Sequence, residues 1–359
     1  MADRLYLDHA ATTPMLAEAK AAMMAAMERW ANPSSPHADG RAARAALEDA
    51  RGRIAGMLGW DGHVLFTSGA SEAIAIGLGR AKTGRVTASA VEHDAVLRVV
   101  RGERIGVDWE GLVSSSFALE ELKNPSTGSG RTERLEERPV VAIQHVNNET
   151  GVVQPLWQID RRAITLFADC AQSAGKLALP DADMIAISAH KFGGPPGVGA
   201  LLLRDLGLIE PSGGQEQGYR AGTENLPGVL AMAAALEART DWLTGAAGLR
   251  ARLDAAIKAA GGEVVARDAP RIPAIASYRM PGVSARAQLI RFDLAGISVS
   301  AGSACSSGSL KTSHVLRAMG WDDEAAGEVV RVSFGPETND ADVDRFLSEW
   351  MKMAGRAGR

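Results

Sequence analysis

The sequence lacks the features of several classes of protein. Only two of its 359 residues are cysteine, Cys170 and Cys305, so a disulfide framework is excluded and both fit free thiols in a reducing compartment. It has no run of 18 apolar residues and no initial apolar run of signal-peptide length. Its formal charge is -4, without the basic stripe of a nucleic-acid-binding protein. We therefore expect a cytoplasmic protein that binds neither membrane nor nucleic acid directly.

The composition is typical of a globular protein. Hydrophobic residues make up 46% and charged residues 23%, and a chain of 359 residues has room for about two domains at roughly 150 residues each. The sequence becomes Ala-rich and helical after about Leu236, followed by β-like pieces near Ala274 to Arg279. We predict a large domain at 15–238 and a smaller α+β domain formed by 1–14 and 239–359.

Short apolar runs indicate a sheet covered on both faces. They are Val64–Thr67, Val140–Ile143, Ile164–Phe167, Met184–Ile187 and Val198–Leu203. Near-continuous apolar strands are typical of a mainly parallel sheet with helices on each side. The first four runs stop at polar residues, and such strand ends form the binding site of open α/β sheets. The sequence therefore predicts an α/β fold whose polar strand ends converge.

Three polar strand ends suggest a particular chemistry. Thr67–Ala73 follows a strand and opens a helix, so its free N–H groups are able to hold a phosphate, although strand-Gly-helix junctions also serve packing alone. Asp169 is placed to keep a pyridinium nitrogen protonated, or is a solvated loop acid. Lys191 ends a strand in a Gly- and Pro-rich loop; burial and a cationic His190 would depress its pKa as a Schiff-base lysine needs, whereas an isolated lysine is usually a surface charge. All three together favour the functional interpretation.

With these features the chain resembles class V, fold-type I enzymes that use pyridoxal 5'-phosphate (PLP), and among them the cysteine desulfurases of the NifS/IscS type. The similarity runs over most of the chain and is carried by the motifs LDHAATTP, NPSSPHADGR, TSGASEA, VEHDAVL, HVNNETG, DCAQSAGK, SAHKFGGPPGVGAL, GYRAGTENLPG, SAGSACSSG, SHVLRAMG and VVRVSFGPET. The resemblance implies a cysteine desulfurase that serves iron-sulfur cluster assembly or tRNA thiolation. It also implies no resident metal.

The resemblance assigns roles to individual residues. Lys191 matches the lysine that joins PLP covalently and moves the substrate α-proton, and His93 matches the histidine that stacks on the ring and serves in acid-base steps. Asp169 matches the partner of the pyridine nitrogen, and Gln172 the partner of the ring oxygen. The residues matched to the phosphate contacts of the same chain are Ala70, Ser71, Ser188 and His190.

Three further matches concern the partner subunit and the substrate. Thr223 matches a residue that reaches the phosphate of the partner subunit, which implies a homodimer. Asn148 and Arg331 match the residues that hold the amino acid, with the guanidinium gripping the carboxylate in bidentate fashion.

Cys305 decides the reaction that the resemblance implies. It lies in a run of small residues, SAGSACSSG, that predicts a mobile loop, and its thiolate would take sulfur from PLP-bound cysteine as a persulfide and leave alanine. Alternatively, Cys305 is an unreactive small residue that only fills space in the loop. For Cys170, beside Asp169, we expect a buried structural thiol.

Two other functions fit the same sequence. Selenocysteine lyase or another PLP-dependent β-elimination is the close alternative, and a non-catalytic sulfur-transfer partner is the distant one. The segment between Gln154 and Ile164 and the tail after Arg331 are shorter than in relatives of the family, which bears on docking to the sulfur-acceptor scaffold or carrier protein that the resemblance implies as a partner.

Overall fold

The computed structural model describes residues 4–28, 31–83, 85–102, 104–113, 138–304 and 310–357. The helices are α1 (Ala17–Glu28), α2 (Ala38–Leu58), α3 (Ala70–Gly79), α4 (Asp94–Val99), α5 (Leu226–Glu237), α6 (Leu243–Ala259), α7 (Ala285–Leu294), α8 (His314–Ala318), α9 (Asp323–Ala326) and α10 (Asp340–Ala357). None of these helices is long and apolar enough to cross a membrane.

A seven-stranded sheet forms the centre of the molecule. Its strands are β2 (His63–Thr67), β3 (Val86–Ser89), β4 (Arg104–Ile105), β5 (Val140–Ala142), β6 (Thr165–Asp169), β7 (Met184–Ser188) and β8 (Gly199–Leu203). They lie in the order β2-β8-β7-β6-β5-β3-β4. Strands β5, β6, β7 and β8 are buried along their whole length, which explains their unbroken apolar sequence. The predicted α/β fold with a mainly parallel sheet is confirmed.

One strand of this sheet runs against the others. Strand β8 pairs antiparallel with both β2 and β7, while β3, β4, β5, β6 and β7 are mutually parallel. As a result β2 points the same way as β7. The ends of β2, β3, β5, β6 and β7 therefore lie at one edge of the sheet, together with the beginnings of α3 and α4.

The remaining strands belong to smaller sheets. They are β1 (Leu5–Tyr6), β9 (Glu263–Val264), β10 (Ile275–Arg279), β11 (Ile297–Ser298), β12 (Ser303–Ala304), β13 (Leu310–Lys311) and β14 (Val329–Ser333). Strands β14, β10 and β9 form an antiparallel sheet, and β1 pairs in parallel with β11. The N-terminal strand is thus attached to sequence almost 300 residues away.

Apolar clusters group these elements. Two clusters bury the faces of the central sheet and lie within residues 19–236. A third joins Leu5 and Leu7 to residues from Ala246 to Met353, and two smaller clusters combine residues from both stretches. The division into 15–238 and 1–14 with 239–359 remains our proposal, and this grouping supports it.

Candidate active site

A cavity of about 770 Å³ lies at the edge of the sheet where the strand ends converge. Ten of the residues predicted from the sequence line it: Ala70, Ser71, His93, Asn148, Asp169, Gln172, Ser188, His190, Lys191 and Arg331. They come from six separate stretches of chain. The sheet topology brings together those that follow strands of the central sheet, because these strands end at the same edge, and Arg331 joins them from β14.

Lys191 lies in a short 3-10 turn, Ala189–Lys191, directly after β7. Its Nζ donates hydrogen bonds to the carbonyl oxygens of Ala10 and Ala11 at 2.7 and 2.8 Å. Burial, together with the positive charge of Arg331, lowers its pKa to about 8. Close to neutral pH this amine therefore has a substantial uncharged fraction, as a nucleophilic or proton-transferring lysine requires.

His190 does not act as the sequence argument supposed. Burial, followed by the charges of Lys191 and Lys176, lowers its pKa to about 4. The ring is therefore neutral at physiological pH, and the prediction that a cationic His190 depresses the pKa of Lys191 is wrong. The lowering comes from burial and from Arg331.

Asp169 is the last residue of β6 and is buried. Burial raises its pKa, although a hydrogen bond from the N–H of Ala171 and the charges of His93 and Lys191 oppose this effect. A buried carboxylate of this kind is stabilised by a nearby cation, and a protonated pyridine nitrogen would be one. Nearby, Gln172 donates from Nε2 to the carbonyl of Ala10, and its Oε1 is buried without a partner.

His93 is presented to the cavity from the N-cap of α4. Its Nδ1 accepts a hydrogen bond from the N–H of Ala95, so in the neutral ring the proton is on Nε2. The preceding residue, Glu92, is fully buried, and its Oε1 accepts from the Ser89 hydroxyl at 2.6 Å and from the Gln144 N–H at 2.8 Å. Burial raises the pKa of Glu92 to about 8. These bonds fix the turn that carries His93.

The predicted phosphate cradle is the beginning of α3. The helix starts at Ala70, and its N-cap Gly69 has a φ of 141° and supplies no side-chain cap. The first N–H groups of a helix have no partner within it, and Gly69, Ala70 and Ser71 line the cavity. Gly199 on β8 passes so close that a Cβ there would lie 2.7 Å from the Cα of Gly69. Ser71 and Ser188 add hydroxyl groups to the same wall.

Arg331, on β14, extends into the cavity from the other side. Its Nη1 donates to the carbonyl of Asn148 at 3.0 Å, and its Nη2 donates to Asp8 Oδ1 at 2.7 Å. The Nε is buried without a partner. The guanidinium is thus held at the cavity wall with donors left for an anionic group.

Two predicted site residues are not part of this geometry. Thr223 is exposed and does not line the cavity of its own chain. Cys305 lies outside the described residues. Cys170 is fully buried, which raises the pKa of its thiol, so the prediction of a structural cysteine is confirmed.

The sequence reasoning missed several residues of the cavity wall. Asp8, Ala10 and Ala11 of the N-terminal arm contact Arg331 and Lys191, and His314 also lines the cavity, with Nε2 2.8 Å from the carbonyl of Glu92. The LDHAATTP and SHVLRAMG motifs were the available signals, but neither was given a role.

The residues present fit PLP. The cavity combines a lysine amine of lowered pKa, a buried acid that needs a cationic neighbour, and a helix N-terminus with two hydroxyl groups. Fold and site together define a PLP-dependent enzyme of fold type I.

The chain belongs to the aminotransferase class-V family, whose model matches residues 5–346. It is 36% identical to a cysteine desulfurase of Cereibacter sphaeroides, over 96% of this chain and 94% of that protein. Among solved structures it is similar to a NifS-like protein from Rickettsia africae, with a TM-score of 0.87, 28% identity and coverage of 98% and 100%. It is also similar to SspA in complex with cysteine, with a TM-score of 0.77, 28% identity and coverage of 93% and 100%.

Proposed function

We propose that this protein is a PLP-dependent cysteine desulfurase that converts L-cysteine to L-alanine and takes the sulfur onto Cys305 as a persulfide. The observation that carries the proposal is the meeting of Lys191, Asp169 and Arg331 in one cavity. These are an amine, an acid and a carboxylate-binding cation, the groups that amino-acid chemistry on PLP requires. A relative named as a cysteine desulfurase and a similar structure solved with cysteine point to the substrate.

Each residue of the cavity has a proposed task. PLP, when bound, supplies the electron sink that allows bonds at Cα and Cβ of the amino acid to break. Lys191, with its pKa near 8, accepts and returns the α-proton. Arg331 and Asn148 hold the amino acid, Arg331 through the carboxylate. His93 presents Nε2 to the cavity for a second proton transfer.

The phosphate and ring contacts follow the same proposal. The phosphate would be held by Ala70, Ser71, Ser188 and His190, of which His190 is neutral and therefore acts through a hydrogen bond. Asp169 would pair with the ring nitrogen. Gln172 would need to turn its amide to bond the ring oxygen, because Nε2 now donates to the arm.

The transfer of sulfur from the substrate to Cys305 needs no external oxidant. The Cys305 thiolate attacks the sulfur of the substrate, an S–S bond forms and the Cβ–S bond breaks. The electron pair of the broken bond stays on the carbon fragment, which takes up protons and leaves as alanine. The persulfide on Cys305 then passes to a reducing acceptor.

The proposal also includes the oligomeric state, the sulfur acceptor and the cellular compartment. We propose a homodimer in which Thr223 of each chain reaches the phosphate of the other, because Thr223 is exposed and apart from its own cavity. The acceptor of the persulfide is a scaffold or carrier protein for iron-sulfur cluster assembly or tRNA thiolation. A reducing compartment, the cytoplasm, suits a chemistry that needs Cys305 as a free thiol.

The test is to incubate the PLP-loaded protein with L-cysteine and a thiol reductant, and to measure alanine and sulfide. We expect equal amounts of the two products. Pyruvate and ammonia in place of alanine would show a β-elimination and contradict the proposal.

A further inference from the structure

The N-terminal arm is attached to the strand that carries Arg331. Asp8 forms a parallel bridge with Ser333, whose N–H donates to the Leu7 carbonyl at 2.9 Å and whose hydroxyl accepts from the Ala10 N–H at 2.9 Å. The backbone on both sides of Asp8 is thus fixed to β14. Main-chain hydrogen bonds therefore hold Asp8 next to Arg331, so its side chain does not have to be ordered by the ion pair alone.

The Asp8–Arg331 ion pair is close and largely shielded from water. Asp8 Oδ1 lies 2.7 Å from Nη2, and the two side chains are 20% and 9% exposed. A guanidinium has five N–H groups. One on Nη1 is used by the Asn148 carbonyl, one on Nη2 by Asp8, and the Nε–H is buried. One N–H on each Nη remains for a ligand, which is the arrangement that grips a carboxylate with two bonds.

We propose that Asp8 is a positioning residue, which holds the Arg331 guanidinium in the orientation that binds the carboxylate of the amino acid and offsets the guanidinium charge at Lys191. The first part rests on the proposed function, because it takes an amino acid as the substrate. The second part concerns only groups of this chain.

The offset at Lys191 follows from the geometry of the cavity, because the Asp8–Arg331 pair lines the same cavity as Lys191, whose Nζ donates to the carbonyls of Ala10 and Ala11, two and three residues along the arm from Asp8. Arg331 lowers the pKa of Lys191, whereas Asp8 and Asp169 raise it. Lys176 and His190 also lie close to this amine, whose charge lowers the pKa of both. Replacing Asp8 by a neutral isostere removes one of the two raising charges and leaves Arg331 in place. The pKa of Lys191 must then fall further.

This second part is tested on the full-length chain after removal of PLP. Trace acetic anhydride labels amines only in their uncharged form, and peptide mapping reports Lys191 separately at each pH. We expect Asp8→Asn to move the midpoint of labelling to lower pH and to speed labelling at pH 7 about threefold. If Lys191 in Asp8→Asn were labelled with the wild-type pH midpoint, Asp8 would not offset the charge of Arg331 at this amine.

A second ion pair supplies the matched control. Asp254 and Arg271 lie 2.8 Å apart with side chains 16% and 13% exposed, and neither lines the active-site cavity. Asp254→Asn removes the same charge at similar burial. It should leave Lys191 labelling at the wild-type midpoint, which separates a local electrostatic effect from a general loosening of the fold.

The first part is tested on the PLP-loaded enzyme by comparing Asp8→Ala with Asp8→Asn. The alanine leaves Nη2 without its acceptor, so the guanidinium loses its orientation. At about pH 9, where Lys191 is mostly uncharged with or without Asp8, we expect KM for cysteine to rise about tenfold with kcat within about twofold. The asparagine retains an oxygen acceptor and should restore most of KM. Asp8→Ala with a wild-type KM would overturn the positioning role, as would an asparagine variant no better than the alanine one.

The two failures are distinguishable. If the wild-type protein neither binds nor converts cysteine, the proposed function is wrong, and the KM comparison falls with it. The labelling of Lys191 still decides whether Asp8 controls the amine.

Discussion

Lys191 is the residue on which the chemistry of the cavity depends. Lys191→Ala should abolish turnover, because it removes the amine of lowered pKa that accepts and returns the α-proton, while PLP is still held through the phosphate contacts. Borohydride reduction of the loaded wild type, followed by peptide mapping, should find PLP attached to Lys191. Lys176 is the sharp control, because burial lowers its pKa to about 7 and makes it a competing amine. A label on Lys176 or Lys311 would contradict the site.

The lowered pKa of Lys191 also predicts how PLP loading depends on pH. The uncharged amine is the form that reacts with the aldehyde, and it becomes the major form only above pH 8, because the pKa lies there and not at the usual 10.5. The rate of PLP coupling to the cofactor-free protein should therefore rise about tenfold per unit below pH 8 and level off above it. Stopped-flow absorbance measures this rate. A rise that continues to pH 10 would show an ordinary, solvated lysine.

The two cysteines should respond in opposite ways to the same substitution. Cys305→Ser should retain PLP absorbance and cysteine binding but release no alanine, because a hydroxyl is far less nucleophilic toward sulfur than a thiolate. Cys170→Ser should remain active and cost at most about 2 kcal/mol of unfolding free energy, because it buries a polar hydroxyl. Protein-bound sulfur from radiolabelled cysteine, released by reductant, is the readout. Near-normal alanine from Cys305→Ser would exclude the persulfide mechanism.

At the scale of elements, the loop that leads to Thr223 is anchored by a buried ion pair. Glu216 has a fully buried side chain that binds Arg51 at 2.7 Å and accepts the N–H of Phe66, and it stands with Gln217 in the left-handed region at φ 48° and 59°. Glu216→Ala leaves the shielded Arg51 guanidinium with only the more exposed Glu48 as its anionic partner, and leaves the buried N–H of Phe66 without an acceptor. We therefore expect a loss of about 3 kcal/mol in urea unfolding.

A more exposed pair between α2, the helix that carries Arg51, and α5 is the comparison for that loss. Arg53 and Glu237 lie 2.6 Å apart with both side chains 38% exposed. Glu237→Ala should cost less than about 1 kcal/mol, because solvent screens the pair. Equal losses in the two variants would show that Glu216 is not an anchor of the loop.

Five of the seven strands of the sheet were predictable because burial leaves an apolar run, whereas β3, with the sequence VTAS, and the two-residue β4 have no such run. The direction of β8 was not predictable, since its burial pattern is the same as that of its parallel neighbours and only pairing with β2 and β7 reveals the difference.

The site was predictable where its residues follow strands and was missed where it depends on distant contacts. Asp169, Ser188 and Lys191 could be grouped because parallel strands end at one edge. Asp8 could not, because its partner Arg331 lies 323 residues away in sequence. The neutral state of His190 was also hidden, since burial is a property of the folded chain.

At the scale of the whole molecule, the position of Thr223 predicts that one chain cannot complete the site. Thr223 is exposed and outside the cavity of its own chain. If it contacts a phosphate, that phosphate belongs to a second copy, and a two-fold dimer supplies both contacts at once. Light scattering should give twice the 37.7 kDa of one chain. A monomer fully active at nanomolar concentration would contradict the shared site.

Mixing two impaired variants tests the sharing directly. Lys191→Ala has no reactive amine but keeps Thr223, and Thr223→Ala binds PLP weakly but keeps Lys191. After subunit exchange each mixed dimer contains one site with both residues intact, built from the Lys191 of one chain and the Thr223 of the other. Random exchange at equal concentrations makes half of the dimers mixed, so about a quarter of the wild-type activity should return at limiting PLP. Homodimers of the two variants, kept separate and then assayed together without exchange, are the control. Activity that stays at the sum of the separate variants would mean that each chain completes its own site, and Thr223 would then have no role in binding the phosphate of its partner.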